Sequence, residues 1–133
     1  MHVADVMVSK LATIPEDITV AEAAVQLADA RVHGVPVVDR RGRLVGVLSS
    51  SDILQVTAEG ATGGSADGAL EDTLVRDAMT TPPRTISPQA DIREAAQQML
   101  HLDVHRLFVV DGDELVGVIA QSDIVRAVAT GRL

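Results

Sequence analysis

The sequence predicts a mixed α/β fold made of two like halves, and three observations carry that expectation. The stretch Leu44–Ile53, with its core Gly46-Val47-Leu48-Ser49-Ser50-Ser51-Asp52, returns 71 residues later as Leu115–Ile124. Upstream of it, Val3, Asp5 and Met7 recur as Val75, Asp77 and Met79, and Thr13-Ile14 as Thr85-Ile86. Glu22-Ala23-Ala24, Val32-His33 and Val37-Val38-Asp39 also have counterparts, at Glu94-Ala95-Ala96, Val104-His105 and Val109-Val110-Asp111. Within each half, short apolar runs of strand length alternate with stripes at helical spacing. Internal repetition on this scale sets the fold before any single element does.

Each element has its own local reason. Residues 3–8 read as a short helical turn and Leu11–Ile14 as a brief strand that Pro15 ends. Thr19-Val20-Ala21-Glu22 is a capping box opening a helix. Its apolar stripe is Val20, Ala23, Ala24, Leu27 and Ala28, and Gly34 closes it. Val35–Val38 and Leu44–Leu48 are strands about the polar turn Arg40-Arg41-Gly42-Arg43, and a helix runs from about Ser50 to Ala58. Residues 59–74, rich in Gly, Ser and acid, read as a flexible surface connection. The second half replays the series. Val75–Met79 is the opening turn, Arg84–Ile86 a strand, and Asp91 caps a helix with stripe Ile92, Ala95, Ala96 and Met99. Strands Leu107–Val110 and Leu115–Ile119 flank the turn Asp111–Glu114, and a last helix covers about Gln121–Thr130. The expected domains are therefore 1–58, 59–74 and 75–133. Repeats this small bury little surface separately, so they are expected to fold against each other.

Composition narrows the function. The 133 residues are one domain's worth of mass, and 47% of them are hydrophobic. No apolar run reaches the ~18–20 residues of a membrane span, and no signal-peptide pattern opens the chain. Cysteine is absent, which removes disulfide and thiolate chemistry and suits a cytoplasmic protein. Phe108 is the only aromatic residue, so base-stacking platforms for single-stranded nucleic acid are missing. The net charge of −8 divides as −2 on residues 1–58, −4 on 59–74 and −2 on 75–133. No part offers a basic face for DNA.

The motifs Asp5-Val6-Met7, Thr13-Ile14, His33-Gly34-Val35-Pro36-Val37-Val38-Asp39 and Gly46–Ile53 recur in order in the second half. Each half thereby resembles a cystathionine β-synthase (CBS) domain, and the whole resembles a tandem pair, a Bateman module. The resemblance covers everything but the connection. It implies two β-α-β-β-α units packed through their sheets as a pseudo-twofold pair, with two clefts between them. It implies effectors that contain adenosine, such as AMP, ADP, ATP or S-adenosylmethionine, with no obligatory cofactor. It also implies homodimerisation and regulation of a partner protein.

In the family motif a Ser or Thr three residues before an Asp holds phosphate or ribose, and the Asp accepts from both ribose hydroxyls. Ser49 and Asp52 match it, with Thr13, Ile14, His33, Gly34, Val35 and Pro36 as the remainder of a first ligand site. The residue types suit the task. A carboxylate accepts from two neighbouring hydroxyls, a hydroxyl can donate to phosphate, and the amides of a helix's first turn favour anions. The second site is expected to be weaker: Thr85, Ile86, His105, Arg106, Leu107, Asp123 and Arg126. There Ala120 replaces the hydroxyl and Arg106-Leu107-Phe108 replaces Gly34-Val35-Pro36, while Arg106 and Arg126 could turn positive charge toward a phosphate. Ser49-x-x-Asp52 equally fits an N-terminal cap. His33 and His105 fit either a phosphate contact or a helix end. No metal set is evident, and the Arg40–Arg43 cluster reads as a solvated turn. Met7, Met79 and Met99 read as core filler.

Four functions are weighed on this basis. The first is a regulatory sensor of an adenosine-containing metabolite. The second is a dimerisation or docking module with empty clefts. The third, an enzyme, lacks a nucleophile–base–orienter set, a phosphate loop and an HExxH helix, so the chain is expected not to be one. The fourth is cation sensing at Asp5, Asp77 or the linker acids. The chain begins at the first repeat and ends just after the last helix, so a free-standing protein is expected.

Overall fold

A computed structural model describes residues 1–30, 34–60 and 66–131. Helix α1 (Val3–Val6) is followed by strand β1 (Ile14–Pro15), helix α2 (Val20–Ala30), strands β2 (Gly34–Val38) and β3 (Leu44–Ser49), and helix α3 (Ser50–Gly60). Then come α4 (Ala66–Asp72), α5 (Val75–Ala78), β4 (Thr85–Ile86), α6 (Ile92–Leu102), β5 (Arg106–Asp111), β6 (Glu114–Ala120) and α7 (Gln121–Ala129). The strands form two three-stranded sheets, ordered β1-β2-β3 and β4-β5-β6. In both, the first pair is parallel and the second is an antiparallel hairpin.

The chain divides into two compact units, residues 12–83 and residues 1–11 with 84–133. Each sheet therefore takes its opening helical turn from the other repeat. In one unit, α5 is tied to the β1–α2 loop by the Val75 amide on the Ile18 carbonyl (2.8 Å) and the Arg76 amide on Glu16 (2.9 Å). In the other, α1 is held the same way, by the Val3 amide on Ala90 (2.8 Å) and the Ala4 amide on Pro88 (3.0 Å). A bridge closes each arrangement, Thr80 with Val47 and Val8 with Val118. This assignment differs from the sequence boundaries 1–58 and 75–133. Nothing local announces it, because backbone pairing between segments far apart in the chain leaves no periodic trace.

Both cores are aliphatic. One gathers Ile14, Ala23, Leu27, Val35, Val37, Leu48 and Val75; the other Val3, Ile86, Ala95, Met99, Leu107, Val109 and Ile119. Burying a side chain of the Val, Leu or Ile class is worth about 1.5–3 kcal/mol, so the inward faces fix the strand registers. The α6 stripe is as expected, with Ile92, Ala95 and Met99 buried. In α2, Val20, Ala23 and Leu27 are buried but Ala28 is exposed, because the stripe runs off the sheet in the last turn. Thr19 Oγ1 accepts from the Glu22 amide (3.2 Å), the forward half of the expected capping box, and Asp91 Oδ1 accepts from the Arg93 amide (2.8 Å).

Two expectations need correction. The first strand is Ile14–Pro15 and not Leu11–Ile14; Pro15 is its last residue and pairs with Val38, which an edge position permits because no ladder amide is required of it. Within 59–74, expected to be a flexible connection, α3 runs to Gly60 and α4 occupies Ala66–Asp72 and packs on α3 and α2, while residues 61–65 lie outside the described residues. The acids that suggested solvent exposure there also suit a solvated helix face, so composition alone does not separate the two.

Both hairpins carry a glycine beneath a methionine. A Cβ at Gly46 would stand 2.6 Å from Met79 Sδ, and one at Gly117 would stand 2.7 Å from Met7 Sδ and 2.9 Å from the Val8 carbonyl oxygen. Gly46 and Gly117 thus let the opening segment lie against the sheet. Met7 and Met79 are the filler that uses this space, as expected for an adaptable thioether.

Candidate ligand-binding site

The Ser49–Asp52 motif lies where β3 turns into α3. β2–β3 pairing sets Gly34 opposite Ser49 and Val35 opposite Leu48, so two motifs distant in sequence share one sheet edge. Ile14 pairs with Val37, three residues along β2 and thus roughly 10 Å from Gly34 at strand rise. The side chains of Ile14 and Val35 are 1% and 4% exposed, and Pro36 is buried too. Only the backbone of these three is positioned to meet a ligand. Thr13 is exposed. A Cβ at Gly34 would meet the Leu48 carbonyl at 3.5 Å, an ordinary contact. Backbone crowding therefore does not demand glycine there, and its effect is to leave the edge open. His33 lies outside the described residues.

The Asp52 carboxylate is half-buried and held by local contacts. Oδ2 accepts from the Ser49 amide (2.8 Å) and the Ser49 hydroxyl (2.9 Å), and the Asp52 amide approaches Ser49 Oγ at 3.3 Å. The capping reading of Ser49-x-x-Asp52 is thus realised. Oδ1 accepts from the Thr80 hydroxyl at 3.0 Å. Each carboxylate oxygen has two lone pairs, so Oδ1 keeps capacity for a further donor. Sequence reasoning missed Thr80. Its counterpart in the other repeat is Val8, and comparing the two shows a hydroxyl gained but not what it touches.

At Asp123 the geometry repeats with different chemistry. Oδ2 accepts from the Ala120 amide (2.8 Å), no hydroxyl stands at position 120, and Arg126 Nη1 lies 3.4 Å from Oδ1. Asp123 is 7% exposed, whereas the Arg126 side chain is 70% exposed. A cavity of about 200 Å³ opens here, lined by Asp5, Val6, Asp123, Arg126, Ala127 and Thr130. Of the other expected residues, Thr85, His105 and Arg106 are exposed, and Ile86 and Leu107 are buried in the core. Arg106 pairs with Ala120 as Gly34 does with Ser49, which puts a long cation at the edge that glycine leaves open. Among the described residues no group of three or more His, Asp or Glu could hold a metal ion. No described helix is long and apolar enough to cross a membrane.

Two three-stranded α/β units, each with a helix whose first turn carries an aspartate at the open end of a hairpin, define a tandem α/β repeat protein. The chain belongs to the CBS domain family, whose model matches residues 3–59 and again 75–130. The CBS domain-containing protein YhcV of Bacillus subtilis is 33% identical over 92% of this chain and 81% of its own length. The chloroplastic protein CBSX1 of Arabidopsis thaliana is 32% identical over 82% of this chain, which spans about half (55%) of that relative. Among solved structures, Arabidopsis CBSX2 in complex with AMP matches with a TM-score of 0.82 at 28% identity, over 99% of this chain and 98% of its own.

Proposed function

We propose that the chain is a regulatory module, not an enzyme, that binds an adenosine-containing metabolite (AMP, ADP, ATP or S-adenosylmethionine) and modulates a partner protein. In this reading it is a cytoplasmic homodimer. Asp52 grips the ribose diol, Ser49 assists at ribose or phosphate, and the backbone of residues 13–14 and 34–36 borders the base. Asp123 with Arg126 forms the weaker second site, where Arg106 and His105 add positive charge or hydrogen bonds. The observation that carries the reading is the Asp52 carboxylate, oriented by Ser49 yet still open to solvent, on a chain whose AMP-bound relative matches it nearly end to end. Asp52 is ranked above Asp123 because it is less buried and its Oδ1 partner is a rotatable hydroxyl rather than a guanidinium.

Ligand binding to the folded state alone raises stability by about 2.7 kcal/mol at 100 times the dissociation constant. A thermal-shift panel with AMP, ADP, ATP and S-adenosylmethionine should therefore show a rise of several degrees with at least one. No shift with any of them removes the sensor reading. It would leave the second one, a dimerisation or docking module whose sites stay empty. The internal contacts from Thr80 to Asp52 and from Arg126 to Asp123 favour that alternative, because both carboxylates are satisfied without a ligand.

A further inference from the structure

The end of the first sheet remote from Asp52 holds a second feature. A cavity of about 310 Å³ lies where the β2–β3 turn, the residues after β1 and α5 converge. Arg40, Arg41 and Arg43 come from the turn and Arg76 from α5, with Glu16, Asp17 and Asp39 between them. The geometry points to a binding site for a phosphorylated small molecule, with Arg41 and Arg76 as the groups that take the phosphate.

The backbone under these arginines is fixed. Asp39 Oδ1 accepts from the Arg41 amide (2.9 Å) and the Arg43 amide (3.0 Å), and Oδ2 accepts from Arg43 Nε at 2.9 Å. The Gly42 amide donates to the Asp39 carbonyl (3.0 Å), and Gly42 has φ +79°, a conformation that suits glycine. The Arg76 amide donates to Glu16, whose own amide donates to Val38. Asp39 is thereby committed to the turn it organises, and Arg43 is oriented through its Nε. Arg40 approaches Asp17 only at 4.0 Å with a side chain 93% exposed, a loose pair. The guanidinium groups of Arg41 and Arg76 have no partner among the described residues. Two uncompensated planar cations on a rigid rim match the bidentate geometry of phosphate. Glu16 and Asp17 add acceptors for hydroxyl groups of the same ligand.

The fold does not require these cations. In the other unit the equivalent positions are Pro88, Gln89, Gly112, Glu114 and Ala4; there the Ala4 amide bonds to Pro88 as Arg76 does to Glu16, and Asp111 pairs with Glu114, without a single arginine. The turn Asp111–Glu114 is acidic and exposed. The arginines are therefore an addition to one repeat and not a condition of folding.

The test is an amide NMR titration of the whole chain with glycerol 3-phosphate, a phosphate monoester with hydroxyls and no ribose. The expected result is saturable shifts at residues 39–43 and 76 that weaken with added salt. Arg41→Gln/Arg76→Gln should raise the dissociation constant by about tenfold or more, while Asp52→Asn should leave it unchanged. Both altered arginines are exposed, and an unchanged melting temperature would show that the variant stays folded. Shifts centred on Ser49–Asp52 and lost in Asp52→Asn would overturn the assignment. So would the absence of saturable binding up to about 10 mM. A salt-sensitive self-association lost equally in Arg41→Gln/Arg76→Gln and in Asp113→Asn/Glu114→Gln would also overturn it, giving the cavity to the acidic turn of a second copy.

Discussion

Asp52 has two jobs in the proposed function, and two substitutions separate them. In Asp52→Ala the Ser49 amide loses its acceptor at 2.8 Å, and the hydroxyls of Ser49 and Thr80 lose theirs at 2.9 and 3.0 Å. The site is half-buried, so water can reach the freed hydroxyls, and the net cost is that of a lost helix cap, about 0.5–2 kcal/mol. For a chain of this size that lowers the melting temperature by roughly 2–10 °C. Ribose would lose two charge-assisted hydrogen bonds at about 1.5–3 kcal/mol each, weakening AMP binding by roughly 10²- to 10⁴-fold. Asp52→Asn behaves differently. Its amide oxygen still accepts from the Ser49 N–H and hydroxyl, and the Thr80 hydroxyl can reverse and accept from its NH₂. Stability should therefore stay within about 0.5 kcal/mol of wild type, because Asn caps as well as Asp. AMP binding should still fall by about tenfold or more, since the carboxylate charge is gone. Calorimetric titration with AMP and urea unfolding of both variants give the two readouts. If AMP binds wild type and both variants alike, Asp52 is a cap and nothing more, and the ribose assignment is wrong.

Three other expectations follow from the same geometry. Thr80→Val removes the hydroxyl that occupies Asp52 Oδ1 and copies Val8 of the other repeat; AMP should bind up to about tenfold tighter by calorimetry, with little change in unfolding free energy. Gly117→Ala should destabilise by about 1–3 kcal/mol in urea unfolding, because its Cβ meets the Val8 backbone oxygen as well as Met7. Gly46→Ala should cost about as much, since its Cβ would meet the Thr80 carbonyl oxygen at 3.0 Å and Met79 Sδ at 2.6 Å; a stability equal to wild type in either variant would refute the packing argument. The third concerns Asp39, whose pKa is lowered chiefly by the Arg43 amide, and also by the Arg41 amide and the Arg43 guanidinium, against opposing desolvation. A depressed folded-state pKa stabilises above the unfolded value and stops doing so as pH falls through the folded one. The stability gap between wild type and Asp39→Asn should thus be flat from neutral pH down to about 5 and shrink below about 4. A gap that grows on acidification would show that Asp39 does not hold the turn.

The sequence by itself determined everything that local chemistry encodes. The duplication, the strand and helix order apart from α4, the caps at Thr19 and Asp91, and the placement of Ser49 and Asp52 at a helix start were legible, because periodicity and capping depend on residues within one turn or one pleat. The tertiary structure decided what depends on distant partners. It assigned each opening helical turn to the other repeat's sheet, laid Met79 on Gly46 and Met7 on Gly117, set the Thr80 hydroxyl on Asp52, and brought Arg76 to a turn that composition had marked only as solvated. These outcomes rest on backbone pairing and side-chain contact between segments tens of residues apart, and such contacts leave no signature in the spacing of either segment.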